Sequence, residues 1–178
     1  MFNFERRRLG ILITLLAATA LVPTLGFASS HPTQSGLDSV RKEIEAQYAK
    51  RDQAFKSKDF DFLKSQETSD YSEKAKDGSV RSKEESDALS DQMASMVKEV
   101  TDQATKVESV TAGDADGEYI VVSSDHGSLT LATPDGQTHA AEGRSRQRDV
   151  WVKTGQGWKI KYHQELESTV QIDGKTVN

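Results

Sequence analysis

The residues best suited to chemistry in this sequence are tyrosines, arginines and a few acid–histidine combinations. Six positions are candidates for holding a ligand: Tyr48, Tyr71, Arg146, Arg148, Tyr162 and Gln164. The tyrosine hydroxyls can donate hydrogen bonds to a ligand oxygen, or the rings can pack in the core while the hydroxyls reach water. Arg146 and Arg148 share a face if they lie on a strand, where they can clamp a carboxylate or pair with surface acids.

Acid–base candidates are fewer, and the sequence predicts no catalytic residue. Asp52 can accept a proton if its helix turns it toward a cavity, and otherwise belongs to a solvated helix face. Asp125 and His126 form an adjacent acid–histidine pair, but neighbouring strand residues point to opposite faces. We therefore expect His126 to be structural or exposed. His163 falls in a charged set of alternate residues and is expected at the surface.

Composition excludes several classes of function. The chain of 178 residues has no cysteine, which rules out disulfides, thiolate metal sites and a cysteine nucleophile. Its four histidines are scattered without the close spacing of a zinc site, and no glycine loop is of the phosphate-binding kind, so we expect neither metal nor cofactor. The net charge of −5 argues against a nucleic-acid partner, which needs a basic face.

The first 28 residues have the three parts of a secretory signal. Arginines 6–8 are followed by an apolar run over 9–22, and small residues flank Phe27 before an expected cleavage after Ala28. An uncleaved membrane anchor is the alternative, although the run is shorter than the roughly 20 residues that span a bilayer. The sequence thus predicts a secreted or periplasmic protein with no stable membrane anchor, and residues 29–36 as a polar linker.

Two helices are predicted at the start of the domain. An apolar stripe with three- and four-residue steps indicates a long first helix: Leu37, Val40, Ile44, Tyr48 and Phe55. After an interruption at 57–59, Phe60, Phe62 and Leu63 indicate a short second helix beside the first.

A third helix is predicted by a capping box, in which Ser82 and Glu85 satisfy the free amides of a helix start. Leu89, Met93 and Met96 follow on one stripe and are interpreted as core residues. Helix-forming patterns end near residue 102.

Beyond residue 102 the pattern changes to strands. Runs over 107–111, 119–131, 139–153 and 158–167 are joined by connections rich in Gly and Asp, which predicts an antiparallel sheet. Helices followed by strands predict an α+β domain over 37–167, with the helices on one face of the sheet. Residues 168–178 form a tail with a small hairpin expected around Asp173–Gly174.

The faces of the last two strands predict where a pocket lies. In the strand 139–153, one face carries Arg144, Arg146, Arg148, Val150 and Val152, and the other carries Ser145, Gln147, Asp149, Trp151 and Lys153. In the last strand the set predicted to face inward is Trp158, Ile160, Tyr162, Gln164 and Leu166. Because this set is apolar at both ends and polar in the middle, it indicates a face that changes from core to pocket.

The two strands also carry a family resemblance. The segment 148–153, a glycine-rich turn and the segment 157–164 resemble the paired C-terminal strands of SnoaL-like proteins. These belong to the nuclear-transport-factor-2-like superfamily, with ketosteroid isomerase and the association domain of calcium/calmodulin-dependent kinase. The resemblance covers about residues 37–167, and the order of helices and strands agrees with it.

The resemblance implies a curved sheet wrapped around N-terminal helices, forming a cone with a pocket, and a homodimer through the outer sheet face. The implied pocket is lined by the first helix, the segment around Tyr71 and the last strands. Many relatives carry histidine or another acid–base residue near the end of the final strand. The matching positions here are Tyr162 and Gln164, neither of which titrates near neutral pH.

These observations lead to three functional hypotheses. The first is an exported domain that binds a small or medium amphipathic molecule without catalysis. The second is an isomerase- or hydrolase-like enzyme acting on a lipid-like or polyketide-like substrate, with Asp52 or His126 as base and Tyr71 as donor. The third is a dimeric assembly module without ligand. Trp151, on an otherwise polar face, is expected at the dimer interface or under the C-terminal tail.

Overall fold

The computed structural model describes residues 33–133 and 136–177. The predicted signal segment lies outside these residues. Within them, no helix is both long and apolar enough to cross a membrane. The first helix begins at Gln34, so the last three residues assigned to the linker are helical.

Three helices lie on the chain before the long strands: α1 (Gln34–Lys56), α2 (Phe60–Ser65) and α3 (Lys83–Met96). Thr33 caps α1, because its hydroxyl accepts a hydrogen bond from the amide of Gly36. The predicted capping box of α3 is present, with Ser82 and Glu85 bonded to each other's backbone amides. The stripe of α1 buries Ile44 and Tyr48 against the sheet.

The sheet has seven strands: β1 (Glu67–Lys74), β2 (Val80–Ser82), β3 (Val97–Ala112), β4 (Glu118–Ala132), β5 (Thr138–Thr154), β6 (Gly157–Ile172) and β7 (Lys175–Val177). Their order is β2-β1-β6-β5-β4-β3, and β7 pairs with β6. All pairs are antiparallel except β1 with β6. The sheet is therefore mixed, because β6 returns beside β1 only after the long crossover that a parallel pair requires.

The tail forms a two-residue hairpin between β6 and β7. Asp173 and Gly174 at its turn have φ values of 50° and 75°. Positive φ at both central residues is what the favoured hairpin turn needs, and Gly and Asp accept it readily.

The core lies between α1 and the concave face of the sheet. It consists of Ile44, Tyr48, Tyr71, Val107, Val121, Trp151, Trp158 and Ile160. The rings of Tyr48 and Trp151 meet edge to face, with centroids 5.2 Å apart. The α+β cone predicted from the sequence is confirmed, since one long helix is enclosed by a curved, unclosed sheet.

The predicted faces of β5 are reversed. Trp151 and Asp149 are both 0% exposed, so the face that carries them is the inner one. Trp151 belongs to the core and cannot contact a partner, and an arginine in its place would bury a charge instead of dissociating a dimer. The tryptophan dictates this orientation, because it is the largest apolar group on the strand.

A β-bulge explains a second reversal, in β6. Trp151 pairs with Ile160 whereas Val150 pairs with Tyr162, so Lys161 is an extra residue. Trp158 and Ile160 face inward as predicted. From Tyr162 to Glu165 every side chain therefore lies on the other face, because the side-chain period of a strand is two, and a second extra residue at Leu166 restores the original facing.

The apolar stripe of α3 does not enter the core. Leu89 and Met93 are 45% and 44% exposed, and α3 has no buried residue. The helix packs at the edge of the sheet, against the short strands β1 and β2. The interpretation of its methionines as core residues is therefore wrong, and Met93 instead lies at the wall of a cavity.

Candidate active site

A cavity of about 330 Å³ lies where the three helices meet the concave face of the sheet. Its apolar wall comes from Tyr48, Phe55, Phe60, Tyr71, Met93 and Ile160. The volume is at the small end of the range for ligand pockets, roughly 300–1,000 Å³. The cavity exists because α3 packs at the sheet edge and leaves the inner face between β1 and β3 uncovered.

One wall of this cavity carries a connected acid–histidine pair. Nδ1 of His163 lies 2.8 Å from Oδ1 of Asp149, and the hydroxyl of Tyr48 donates a hydrogen bond to Oδ2. The indole N–H of Trp151 in turn donates to the Tyr48 oxygen at 3.0 Å. The bulge and α1 create this arrangement, since one turns His163 inward and the other brings Tyr48 over β5.

The buried carboxylate of Asp149 is held by two donors, as burial of a charge requires. Burial tends to lower the pKa of His163, but the adjacent Asp149 carboxylate outweighs it and raises the pKa above its usual value. Burial and then the Asp149 charge raise the pKa of Tyr48, which therefore stays protonated and keeps donating.

The hydrogen bond to Asp149 determines which ring nitrogen of His163 is available. Because Nδ1 faces a carboxylate, it carries a proton and donates it, which leaves Nε2 to a ligand. The His163 side chain is 25% exposed, so the ring is accessible although Asp149 is not. An imidazole held in this way can accept a proton and be stabilised as the cation.

A second polar group lies on β1. Glu73 accepts hydrogen bonds from Arg81 at 2.9 Å and from the Ser86 hydroxyl at 2.7 Å, and the Tyr71 hydroxyl lies 3.5 Å from its carboxylate. Burial opposes ionisation of Glu73, but Arg81 and Ser86 outweigh it and lower its pKa. Glu73 is therefore a fixed negative charge near the ligand space.

Glu67 lies on the same wall, and its pKa shifts in the direction opposite to that of Glu73. Its Oε2 lies 3.0 Å from Nζ of Lys83, which also binds Asp87 at 2.6 Å. Burial nevertheless raises the pKa of Glu67, because the desolvation cost exceeds the attraction of the shared lysine.

Asp52 lines the cavity and does not lie on the solvated face expected of it. Its carboxylate accepts hydrogen bonds from the amide and hydroxyl of Thr105 at 2.9 and 2.7 Å. Gln103 adds a longer one at 3.4 Å. These bonds tie α1 to β3 and fix the carboxylate in one orientation.

The structure places the six predicted ligand-binding residues on two different faces. Tyr48 and Tyr71 line the cavity. Arg146, Arg148, Tyr162 and Gln164 do not, and their predicted inward orientation is wrong. Arg146 forms a surface ion pair with Glu108 at 2.8 Å. The cause is the reversed face of β5 and, for Tyr162 and Gln164, the bulge.

Asp149 and His163 line the cavity although the sequence predicted neither of them there, and the predicted surface position of His163 is wrong. His163 follows Tyr162 on β6, and the bulge at Lys161 turns it inward in place of its neighbour. The spacing in the sequence does predict the orientation of Asp149. This residue lies two positions before Trp151, so a tryptophan in the core places the acid on the inner face of the strand as well.

Two further histidines have acid partners away from the cavity. His126 lies 3.1 Å from Asp102, and His139 lies 2.7 Å from Asp173. Neither histidine lines the cavity, so His126 is not placed to act as its base. Within 33–133 and 136–177, no group of three or more His, Asp or Glu side chains is arranged to hold a metal ion.

Comparison with known proteins shows similarity of fold. No family model matches the chain, and no curated protein matches it. A conserved protein from Planctomyces limnophilus superposes with a TM-score of 0.59 at 16% identity, covering 71% of this chain and 94% of that one.

Two enzyme-like structures also match. A putative scytalone dehydratase from Novosphingobium aromaticivorans has a TM-score of 0.59 at 11% identity, with 76% and 90% of the two chains covered. A ketosteroid isomerase-like protein from Erwinia carotovora has a TM-score of 0.53 at 16% identity, with 76% and 99% covered. The chain has the cone fold of these proteins, and the predicted resemblance to the nuclear-transport-factor-2-like superfamily is confirmed as a resemblance of fold.

Proposed function

We propose that this chain, after export directed by residues 1–28, is an acid–base enzyme that moves a proton on a small molecule bound in the cone. The observation that carries the proposal is the contact between His163 and the buried Asp149 at the cavity wall. Proton transfer between carbon and a base is common to isomerases and dehydratases, the two activities named among the fold relatives.

The proposed roles follow from the hydrogen bonds. Nε2 of His163 removes a proton from the ligand and returns it to another position or to a leaving group. Asp149 orients the imidazole and stabilises the imidazolium that forms. Tyr48 is a positioning residue, since its hydroxyl is committed to Asp149 and its ring to Trp151. Tyr71 is the wall residue suited to donate to a ligand oxygen.

The two rival hypotheses are less well supported. A cone used only for assembly is expected to be filled by side chains, whereas this one encloses about 330 Å³. Binding without catalysis needs no carboxylate fixed behind a histidine, whereas Asp149 is fully buried and hydrogen-bonded to His163. Binding alone remains the outcome against which the enzyme hypothesis is tested.

The test is hydrogen exchange at carbon. We expect the protein to catalyse deuterium incorporation from D₂O into cyclic ketones carrying acidic α-hydrogens, measured by proton NMR on a panel of such compounds. His163→Gln removes the base and should slow exchange about 10²-fold or more. His139→Gln is the matched control, because it removes a histidine of a similar acid pair outside the cavity.

If the wild type binds panel members without exchanging any of their hydrogens, the protein is a binding module and the enzyme hypothesis is wrong. Equal exchange rates in the wild type and His163→Gln would show that a residue other than His163 removes the proton.

A homodimer remains a prediction. Because Trp151 lies on the inner face of the sheet, we now expect the interface on the outer face. There the register aligns Ile120, Val150 and Tyr162 as an apolar row across β4, β5 and β6. We expect a dimer in sedimentation at micromolar concentration. Val150→Arg should yield a folded monomer whose melting temperature does not depend on protein concentration. Thr154→Arg, exposed at the strand end, should leave the dimer intact. If the wild type sediments as a monomer, the prediction of a dimer is wrong.

A further inference from the structure

The cavity that holds His163 has a strong excess of negative charge. Among the described residues that line it, Arg51 and Lys64 are the permanent cations, and His163 adds a third positive charge when it is protonated. Six carboxylates stand against them: Asp52, Glu67, Glu73, Asp87, Asp125 and Asp149. A cleft lined by one sign of charge raises the local concentration of ligands of the opposite sign.

Ion pairs with residues behind the wall do not remove this excess. Arg81 and Lys83 neutralise part of the charge of Glu73 and Glu67 from outside the lining. Lys64, however, is itself paired with Asp61 at 3.0 Å and with Asp91 at 2.6 Å, neither of which lines the cavity. The two outer cations are thus balanced by two outer acids, and the cavity remains negative.

Two of the six carboxylates have no cationic partner among the described residues. Asp52 is held by Thr105 and Gln103, and Asp125 accepts a hydrogen bond from the Ser145 hydroxyl. These neutral donors orient both carboxylates without neutralising them. The two acids lie on α1 and β4, on the side of the cavity formed by β3 and β4.

The same cavity presents aromatic rings to its contents. Tyr48, Phe55, Phe60 and Tyr71 all line it, and Phe55 and Phe60 meet edge to face with centroids 5.7 Å apart. An aromatic face attracts a cation through its quadrupole, most strongly where water is excluded. Rings combined with unpaired carboxylates recognise an ammonium group, whereas an anion would be repelled by both.

We infer that the ligand of this cone is an organic cation, a small amine or quaternary ammonium compound with an apolar body. The inference rests on the proposed function in using the same cavity, but it concerns the ligand's charge and not the reaction. The ammonium group lies near Asp52 and Asp125 and against a neighbouring ring face, and the apolar body contacts the remaining aromatic wall. The amphipathic ligand predicted from the sequence is thereby narrowed to one sign of charge.

The test compares three soluble compounds of one shape: 2-phenylethylammonium, 2-phenylethanol and phenylacetate. Binding to the full exported chain is measured by NMR chemical-shift titration at low ionic strength. We expect the ammonium compound to bind at least about tenfold more tightly than the alcohol, and the carboxylate to bind most weakly. Added salt should weaken the binding of the ammonium compound alone.

Asp125→Asn should weaken the binding of the ammonium compound by about fivefold and leave that of the alcohol unchanged. Asp114→Asn is the matched control, because it removes an equal charge from an exposed turn. Binding of the alcohol as tight as that of the ammonium compound, or no ammonium binding at millimolar concentration, would overturn the inference.

The outcome is separable from that of the exchange experiment. Ammonium-selective binding together with exchange that does not depend on His163 leaves this inference standing and removes the catalytic role. Exchange on neutral ketones that depends on His163, without selective binding of the ammonium compound, supports the catalytic role and overturns this inference.

Discussion

Replacing Trp151 with alanine is expected to lower the free energy of unfolding by about 3–5 kcal/mol. The indole is fully buried, contacts the Tyr48 ring edge to face and donates a hydrogen bond to the Tyr48 oxygen. Its loss leaves a large void between α1 and the sheet that the surrounding side chains cannot fill. Urea melts of the two proteins measure the difference.

Two further variants isolate the cause of the loss. Trp151→Phe keeps a ring but removes the N–H, so it should cost clearly less than Trp151→Ala while still leaving the Tyr48 oxygen without this donor. Thr154→Ala, exposed at the end of the same strand, should change the stability by no more than about 0.5 kcal/mol. Similar losses for Trp151→Ala and Thr154→Ala would show that the inner face of β5 has been misassigned.

Replacing Asp149 with asparagine is expected to lower the pKa of His163, because the adjacent opposite charge is lost. The remaining influences are burial and Arg51, which lower this pKa, and Glu73, which raises it. The substitution also removes the negative charge that His163 and Tyr48 contact in the interior. The free energy of unfolding should therefore fall by about 3–5 kcal/mol. NMR titration of the histidine ring hydrogens reports the pKa directly.

The stability loss should depend on pH with a defined sign. In the wild type the pKa of His163 is higher in the folded state than its unfolded value of 6.5. Protonation of His163 therefore stabilises the fold fully below that value, and this stabilisation disappears as the pH rises through the folded-state pKa. The difference between wild type and Asp149→Asn should accordingly be larger on the acid side.

Asp173→Asn is the control for this experiment, because Asp173 contacts His139, which lies outside the cavity. It should leave the titration of His163 unchanged. An unaltered His163 titration in Asp149→Asn itself would contradict the assigned contact between the two side chains.

The elements that depend on local signals were predictable from the sequence. The stripe from Val40 to Phe55 and the capping box at Ser82 specify α1 and α3 through their own neighbours, and Asp173–Gly174 specifies its turn in the same way. Such features require no knowledge of distant partners. The order of helices and strands then limits the fold class, because the helices have one sheet to cover.

The site was predictable only in part, because its geometry depends on a strand irregularity. Tyr48 and Tyr71 could be assigned from the α1 stripe and the β1 segment, but strict alternation fails in β6 at Lys161. The bulge arises from the pairing of β6 with β5. The sequence of the segment from Trp158 to His163 does not predict it. Asp149 was missed for a related reason, since a buried acid is acceptable only with donors from α1 and β6.

The outward exposure of α3 has a similar origin. Leu89 and Met93 repeat as core residues do, and only the short length of β1 and β2 leaves them without a sheet to cover. Periodicity identifies a helix face but not the size of the surface that the face meets.

The hydrogen-bonded line from Trp151 through Tyr48 and Asp149 to His163 also limits how this protein can diverge. Trp151 and Tyr48 belong to the core, and His163 lies at the cavity wall. A change in packing around Trp151 therefore moves the Tyr48 oxygen and alters the proton affinity of His163. Relatives that differ only in interior side chains should consequently differ in the pKa of the histidine at this position. Selection on that pKa can act on the hydrophobic interior, without any exchange of residues at the cavity wall.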